Sequence, residues 1–370
     1  MYKVKNKFFG GINMKTIVNI NELVKGLKEI NKVKENKEVA MKDNSLILSK
    51  NGRTVIAKNN IKTYVEINID SDIEEEGQVV LTSQNIKIIN KMKNHDTEIT
   101  DNNIKVGNKN LNIPKFDFIN FKEKEIENTY TINSKELSRL LEVDYCCDKT
   151  DTRPILQGVC FKNNRVCALD GYRMSLRTSN ILNINGEFVL HNSSIKVLKD
   201  FLPKKEDVKI TINSNNTYTE FLFNNYRVVC YNMEGNYIKF EQITPQEIGR
   251  NIVKLNDIKY FKDSIDIIND MTKSYTTKIM EMTSENEQLK ISANNLNNTF
   301  TDIIEGSETN FSTLFDVIAF NPRYLFETFK YINFEDSVTF NFKNAISPMV
   351  ISKDFSLDNF ELILPIRIVK

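Results

Sequence analysis

Two histidines, five cysteines and 49 carboxylates are the side chains of this 370-residue chain that could bind a metal or carry out catalysis. His95 and His191 have no second His, Cys or carboxylate cluster at metal-ligand spacing, so both are expected at the surface. Cys146, Cys147, Cys160, Cys167 and Cys230 are odd in number and lack the spacings of a disulfide framework or zinc site. That predicts reduced thiols, with no redox role for the vicinal pair. The 12 glycines form neither a phosphate-cradling loop nor a dinucleotide fingerprint. No metal or other cofactor is expected. The surviving catalytic reading is a carboxylate-dependent metal nuclease acting on DNA, because an acid-rich chain can always bring two carboxylates together.

At about 150 residues per domain the length predicts two or three domains. Hydrophobic residues at 40% and charged residues at 27% describe a globular chain and exclude a disordered or collagenous one. Fifty Lys and Arg against 49 Asp and Glu leave +1, so attraction to nucleic acid must come from how charge is distributed. No window reaches the roughly 18 to 20 apolar residues of a membrane span, which makes the expected location cytoplasmic. A strand-like run opens at Met14, so residues 1–13 are expected to form an extension outside the fold.

The elements that must position any site recur three times. Two strands joined by a polar turn occupy residues 45–60, 157–171 and 279–295, their ends lying 111 and 124 residues apart. Asn-Gly, Asn-Asn and Glu-Asn supply the turns, because Asn tolerates the positive φ that tight hairpins need. Amphipathic helices precede the hairpins at 21–33, 133–143 and 256–271, and second helices follow from Thr82, Asn192 and Asn321. Each unit closes in alternating, strand-like sequence such as Ser337-Val-Thr-Phe-Asn-Phe. The reading is an α+β protein of three repeated domains with mostly antiparallel sheet, at 14–122, 129–246 and 251–370.

At about 100° per residue, Leu23, Val24, Leu27 and Ile30 share one helix face while Lys25, Lys28 and Lys32 lie opposite. Lys135 and Arg139 oppose Leu137, Leu140 and Leu141. Lys87 and Lys91 stand away from Ile86, Ile89 and Met92, and Arg323 and Lys330 away from Leu325 and Phe329. Lys196 with Lys199, and Lys259 with Lys262, follow the pattern less cleanly. A charged outer face is also what solubility demands of any single helix. Collectively, helices on the inside and sheets on the outside would give a neutral chain a basic inner surface suited to phosphates, without base readout.

Thr152-Arg-Pro-Ile-Leu-Gln-Gly-Val159 and Ala168-Leu-Asp-Gly-Tyr-Arg-Met174 resemble the bacterial DNA polymerase III beta subunit, the sliding clamp family. So do Leu289-Lys-Ile-Ser-Ala-Asn-Asn295, Phe320-Asn-Pro-Arg-Tyr-Leu325, Ser347-Pro-Met-Val-Ile351 and Leu364-Pro-Ile-Arg-Ile368, in family order. The resemblance implies a non-catalytic processivity factor with the DNA clamp fold, each domain placing two helices inside and antiparallel sheet outside. It further implies a head-to-tail homodimer closed as a ring around duplex DNA and opened by an ATP-driven loader. The DNA-facing set is then Lys25, Lys28, Lys32, Lys87, Lys91, Lys135, Arg139, Lys149, Arg153, Lys196, Lys199, Lys259, Lys262, Arg323 and Lys330.

The family also takes short hydrophobic peptides from polymerases and loader subunits in a pocket between its second and third domains. Carried over by motif, that pocket comprises Leu156, Leu169, Gly171, Tyr172, Arg173, Met174, Ile238, Gln242, Ile243, Leu362, Leu364, Pro365, Ile366, Arg367 and Ile368. On the sequence alone, 364–368 reads rather as a buried edge strand, and the resemblance is what favours the pocket. Ile238 and Gln242 stand where many clamps have Pro and Arg, and Glu38-Val-Ala-Met-Lys42 lacks the usual Pro-Ile-Leu. Neutral charge and the extra Val369 and Lys370 also depart from the pattern, which fits a chromosomal clamp or a partner-recruiting paralogue from a phage or mobile element.

Overall fold

The computed structural model describes residues 14–34, 44–93, 96–150, 152–247, 249–276, 278–310, 317–334, 337–353 and 355–368. The 1–13 extension, the 38–42 segment, His95, Val369 and Lys370 lie outside these.

Much the same order of elements runs three times along the chain, the second pass having one strand fewer between its helices. The first pass is β1 (Lys15–Asn19), α1 (Ile20–Ile30), β2 (Asn44–Lys50), β3 (Arg53–Asn59), β4 (Thr63–Ile69), β5 (Ser71–Glu75), β6 (Gly77–Thr82), α2 (Ser83–Ile89), β7 (Asp96–Thr100), β8 (Asn103–Val106) and β9 (Lys109–Asn112). The second is β10 (Asn128–Asn133), α3 (Ser134–Leu140), β11 (Gly158–Asn163), β12 (Arg165–Leu169), β13 (Arg173–Thr178), β14 (Ile184–His191), α4 (Asn192–Phe201), β15 (Lys209–Ser214), β16 (Tyr218–Phe223) and β17 (Tyr226–Tyr231). The third is β18 (Asn251–Leu255), α5 (Ile258–Thr272), β19 (Met280–Glu285), β20 (Gln288–Asn294), β21 (Thr299–Ile303), β22 (Ser307–Thr309), β23 (Ile318–Phe320), α6 (Pro322–Tyr331), β24 (Val338–Phe342), β25 (Met349–Ser352) and β26 (Asn359–Ile363).

Local chemistry explains where these elements start and turn. The Asn19, Asp257 and Asn321 side chains accept backbone N–H bonds at the openings of α1, α5 and α6, and Thr82 with Asn85 closes a reciprocal capping box on α2. Asn51 and Gly52 both take positive φ between β2 and β3, and Asn163 does so between β11 and β12. The third hairpin differs from the Glu-Asn expectation by one position. Asn286 and Glu287 take the positive φ values there, because Glu285 is still paired with Gln288.

The chain forms two compact units. Residues 1–135 and 193–232 make the first, and residues 136–192 and 233–370 the second. The first unit holds a five-stranded sheet, β5-β1-β7-β8-β9, and an eight-stranded sheet, β10-β15-β16-β17-β4-β3-β2-β6. Helix α1 packs on β3 and β4 through Leu23, Gly26 and Leu27. The opposite face of that sheet is covered by Phe116, Phe118, Phe121 and Ile126 of the segment after β9, packed on Leu46, Ala57, Tyr64 and Tyr218.

The second unit holds a nine-stranded sheet, β14-β11-β12-β13-β26-β25-β24-β18-β22, and a four-stranded sheet, β21-β20-β19-β23. Helices α5 and α6 pack on each other, with the Phe261 and Phe329 rings edge to face at 5.1 Å. All five cysteines are buried and none is in a disulfide. Burial pushes the Cys146, Cys160, Cys167 and Cys230 thiols up, which keeps them protonated and chemically quiet. His191 is half-buried on β14, its Nε2 lying 3.4 Å from Gln157 Oε1. Among the described residues no helix is long and apolar enough to cross a membrane, and no three His, Cys, Asp or Glu side chains converge as metal ligands.

Candidate partner-peptide pocket and phosphate-facing helices

The carried-over pocket residues all lie in the second unit, where β13 and β26 run antiparallel with Met174 opposite Leu362 and Arg173 opposite Ile363. Alternation along a strand sends neighbouring side chains to opposite faces. Leu156, Leu169, Met174 and Leu362 therefore share one apolar cluster with Tyr237 and Phe240, against which Ile155 and Ile238 pack. These four are buried in the core. Of the other carried-over apolar residues, Tyr172 (61% exposed), Ile243, Leu364 (38%) and Ile368 are exposed. Pro365 and Ile366 are half-buried, and Gln242 and Arg367 are exposed.

The C-terminal segment is held open by two backbone bonds. Leu364 N–H donates to Tyr172 C=O at 2.9 Å, and Ile366 N–H donates to Ala319 C=O at 2.7 Å. Residues 364–368 are therefore neither a fully buried strand nor a free tail; one side is anchored and the other faces solvent. Gly171 turns the rim with φ +89°, where any L side chain is strained. The Arg153 guanidinium lies 3.9 Å from where a Cβ on Gly171 would sit, so that residue stands beside the rim.

Arg173 points to the opposite face from Met174 and is 3% exposed. Its guanidinium bonds Asp170 at 2.9 Å and Glu327 at 2.6 Å, and lies over the rings of Tyr145 and Tyr324 at 5.3 and 4.9 Å. Tyr324 stacks with Tyr172, ring centres 6.1 Å apart, and burial pushes its hydroxyl up to about 12. Tyr324 thus stands against two of the carried-over residues, Tyr172 and Arg173, although motif reasoning passed over it. The signal was available, since the residue stands inside Phe320-Asn-Pro-Arg-Tyr-Leu325.

A second buried pair lies on the same face. Arg177 Nη2 is 2.6 Å from Glu361 Oε1, Tyr145 donates to Glu361 Oε2 at 2.6 Å, and the Tyr145 hydroxyl is 3.1 Å from Thr328 Oγ1. This network ties β13 to β26 and to α6 beneath the pocket.

Glu327 gathers three cations: Arg173, Arg323 at 3.0 Å and Lys149 at 3.4 Å. Burial alone would raise its carboxyl. Arg173 in particular, with Arg323 and Lys149, holds it below the ordinary carboxylate value. A group depressed in the folded state contributes stability above its unfolded pKa and loses that contribution as pH falls through the folded one. The melting temperature is therefore expected to hold down to about pH 5 and to fall below it. Calorimetry on Glu327→Gln should show a flatter acid limb, and an unchanged limb would remove Glu327 from the account.

Of the phosphate-facing set, Lys25 and Lys28 on α1, Lys87 and Lys91 around α2, Lys135 on α3, Lys196 on α4, Lys259 and Lys262 on α5, and Lys330 on α6 are exposed opposite buried apolar positions. Lys199 is half-buried. Arg139 is held by Glu136, Asn359 and the Thr178 carbonyl, all within 2.8 Å. Lys149 and Arg323 are engaged by Glu327, as above. In the first unit, Lys32 pairs with Glu29, lies 5.5 Å above the Phe201 ring, and lines a cleft with Lys34 and Lys204. The last two escaped helix-face reasoning because they follow the ends of α1 and α4.

Residues 241–367 match the family model described as DNA polymerase III beta subunit, C-terminal domain. The chain is 23% identical over 321 residues to the beta sliding clamp of Streptococcus pneumoniae, covering 83% of this chain and 77% of that one. It is 23% identical over 250 residues to the beta sliding clamp of Borreliella burgdorferi, covering 59% and 61%. The fold superposes on the DNA polymerase sliding clamp of Bacillus subtilis with a TM-score of 0.83 at 20% identity, and on the Bartonella birtlesii DnaN sliding clamp bound to griselimycin with 0.82 at 19%. Each covers 96% of this chain and 100% of the other.

Proposed function

We propose, for a chain that belongs to the DNA polymerase III beta-subunit family of sliding clamps, that it closes as a head-to-tail homodimer around duplex DNA and tethers the replicative polymerase. The family is a non-catalytic accessory subunit of the polymerase. The observation that carries this reading is the thrice-repeated order of elements in a chain whose last third matches the family model. We assign the three clamp domains to 14–122, 129–246 and 251–370.

Enclosure changes what binding has to supply. A closed ring cannot leave DNA without opening, so exposed lysines on the helices need only weak phosphate contacts that let it slide. Two three-domain chains satisfy the closure condition when each contributes the same head-to-tail contact. Hydrophobic peptides from polymerase and loader subunits would enter against Leu364, Ile366, Ile243 and the Tyr172–Tyr324 pair, with Gly171 allowing close backbone approach.

After loading onto nicked circular DNA, the purified protein should co-migrate with the circle and be released when the circle is cut. Equal retention on circle and linear form would overturn the reading. A Lys25→Gln, Lys28→Gln, Lys87→Gln, Lys91→Gln variant should bind DNA more weakly at every sequence. Its log K against log salt should be shallower by about 0.9 for each lysine that contacts a phosphate. An unaltered salt slope in a filter-binding titration would exclude those two helices from the contact.

A further inference from the structure

One segment of the first unit is held the way a peptide ligand is held. Residues 114–126 form neither helix nor strand, and among the described residues none of their main-chain groups bonds another main chain. Side chains grip them instead. The buried Tyr218 hydroxyl accepts from Lys124 N–H at 3.2 Å and donates to Lys124 C=O at 3.1 Å, while Asn215 Nδ2 donates to Glu125 C=O at 3.2 Å. The Phe121 ring stacks on Tyr64 and meets Tyr218 edge-on, both at 5.0 Å, with the Arg227 guanidinium 5.0 Å from its centre. Two residues on, the Glu123 carboxylate accepts from both Arg227 Nη atoms, at 2.7 and 2.8 Å.

The internal repeat identifies the place this segment occupies. Four residues separate the paired Asn59 and Tyr64, and four separate the paired Leu169 and Met174, so Tyr64 corresponds to Met174. The registers then match Ala57 with Cys167, Leu46 with Cys160, Val80 with Val189, and Val229 with Leu362. Each set of five belongs to one apolar cluster. The first cluster lies against Phe116, Phe118, Phe121 and Ile126; the second contains four of the carried-over pocket residues.

The two faces differ at three matched positions. Where the second unit has Leu176, Phe360 and Val350, the first has Glu66, Arg227 and Glu220. Arg227 meets Glu220 at 2.6 Å and Glu66 at 3.5 Å, which fixes its fork beside the aromatic slot. Its hydrogen bonds hold the Glu123 carboxyl below the ordinary carboxylate value, so the acid is bound in its charged form. An apolar face has thus become one that reads a carboxylate next to a ring.

We propose that this seam, where β4 meets β17, is a peptide seat selective for a phenylalanine two residues before a glutamate, and that the chain fills it with its own residues 116–126. Partner peptides are thereby kept to the second unit. A tethered occupant is present at an effective concentration on the order of millimolar, which any free peptide has to exceed.

The probe is a fluorescent synthetic peptide of this chain's residues 114–127, titrated onto the full chain and read by anisotropy. Glu123→Gln leaves the segment's apolar contacts in place and should tighten probe binding about tenfold over wild type. Phe121→Ala with Glu123→Gln should tighten it about a hundredfold, saturating at one peptide per chain. A probe bearing the same two changes should bind neither variant. Added to the double variant, Tyr218→Phe removes both bonds to Lys124 and should weaken the probe about tenfold. The Glu123→Gln arm decides by itself if the double variant fails to fold. Equal affinity for wild type and Glu123→Gln would overturn the seat. So would binding that Leu364→Ala with Ile366→Ala abolishes, since the probe would then sit in the second unit. None of these readouts depends on ring closure.

Discussion

Glu361→Ala should be the most destabilising single substitution in the second unit, costing about 3 to 5 kcal/mol. Glu361 is 1% exposed and accepts from both Arg177 and Tyr145. Its removal leaves the Arg177 guanidinium buried without its principal counter-charge, because Glu142 on the other side is 3.8 Å away and partly exposed. Glu361→Gln keeps an acceptor for Tyr145 and should cost less. Replacing both partners, Glu361→Leu with Arg177→Met, should cost clearly less than the two single changes added together, since no buried charge then remains. Denaturant midpoints of the second unit's transition would measure this. A cost under about 1 kcal/mol for Glu361→Ala would mean that the pair is solvated after all.

The largest effect on partner binding should come from Leu364→Ala combined with Ile366→Ala. Truncating two aliphatic side chains on the rim removes about 2 kcal/mol or more of peptide affinity, roughly thirtyfold in dissociation constant. Both backbone tethers, Leu364 to Tyr172 and Ile366 to Ala319, survive an alanine, so the segment should keep its course. Fluorescence anisotropy with a labelled hydrophobic peptide from the polymerase would read the loss, and sedimentation would show the oligomeric state unaltered. Unchanged affinity would place the peptide elsewhere. Tyr324→Phe makes a useful contrast, since it keeps the ring stack with Tyr172 and should leave affinity within twofold of wild type.

How much of this was legible in the sequence depends on the range of the signal. Helices and hairpins were readable because their determinants act within a few residues: the 3.6 period of Leu23, Leu27 and Ile30, the capping Asn19 and Asn321, and the positive φ tolerated by Asn51 and Asn163. The repeat could be found for the same reason, since it is those local signals occurring three times. The slips were small: the turn at Asn286 and Glu287 moved by a single residue, and the helices expected over 21–33 and 133–143 end three residues early, at Ile30 and Leu140.

The surroundings of the proposed pocket were only half legible. Its apolar members could be named from motifs, but whether Met174 or Arg173 faces it depends on which strand lies alongside β13, and that pairing joins residues far apart in the chain. Tyr145 and Glu361 are 216 positions apart, and nothing local to either marks them as partners. What the sequence by itself determined is the set of elements and their threefold order. What the tertiary structure alone decided is which strands join, and therefore which charged groups lose water together beneath the pocket. Turn and period preferences act through neighbouring backbone atoms, whereas burial of a charge is set by everything that packs around it.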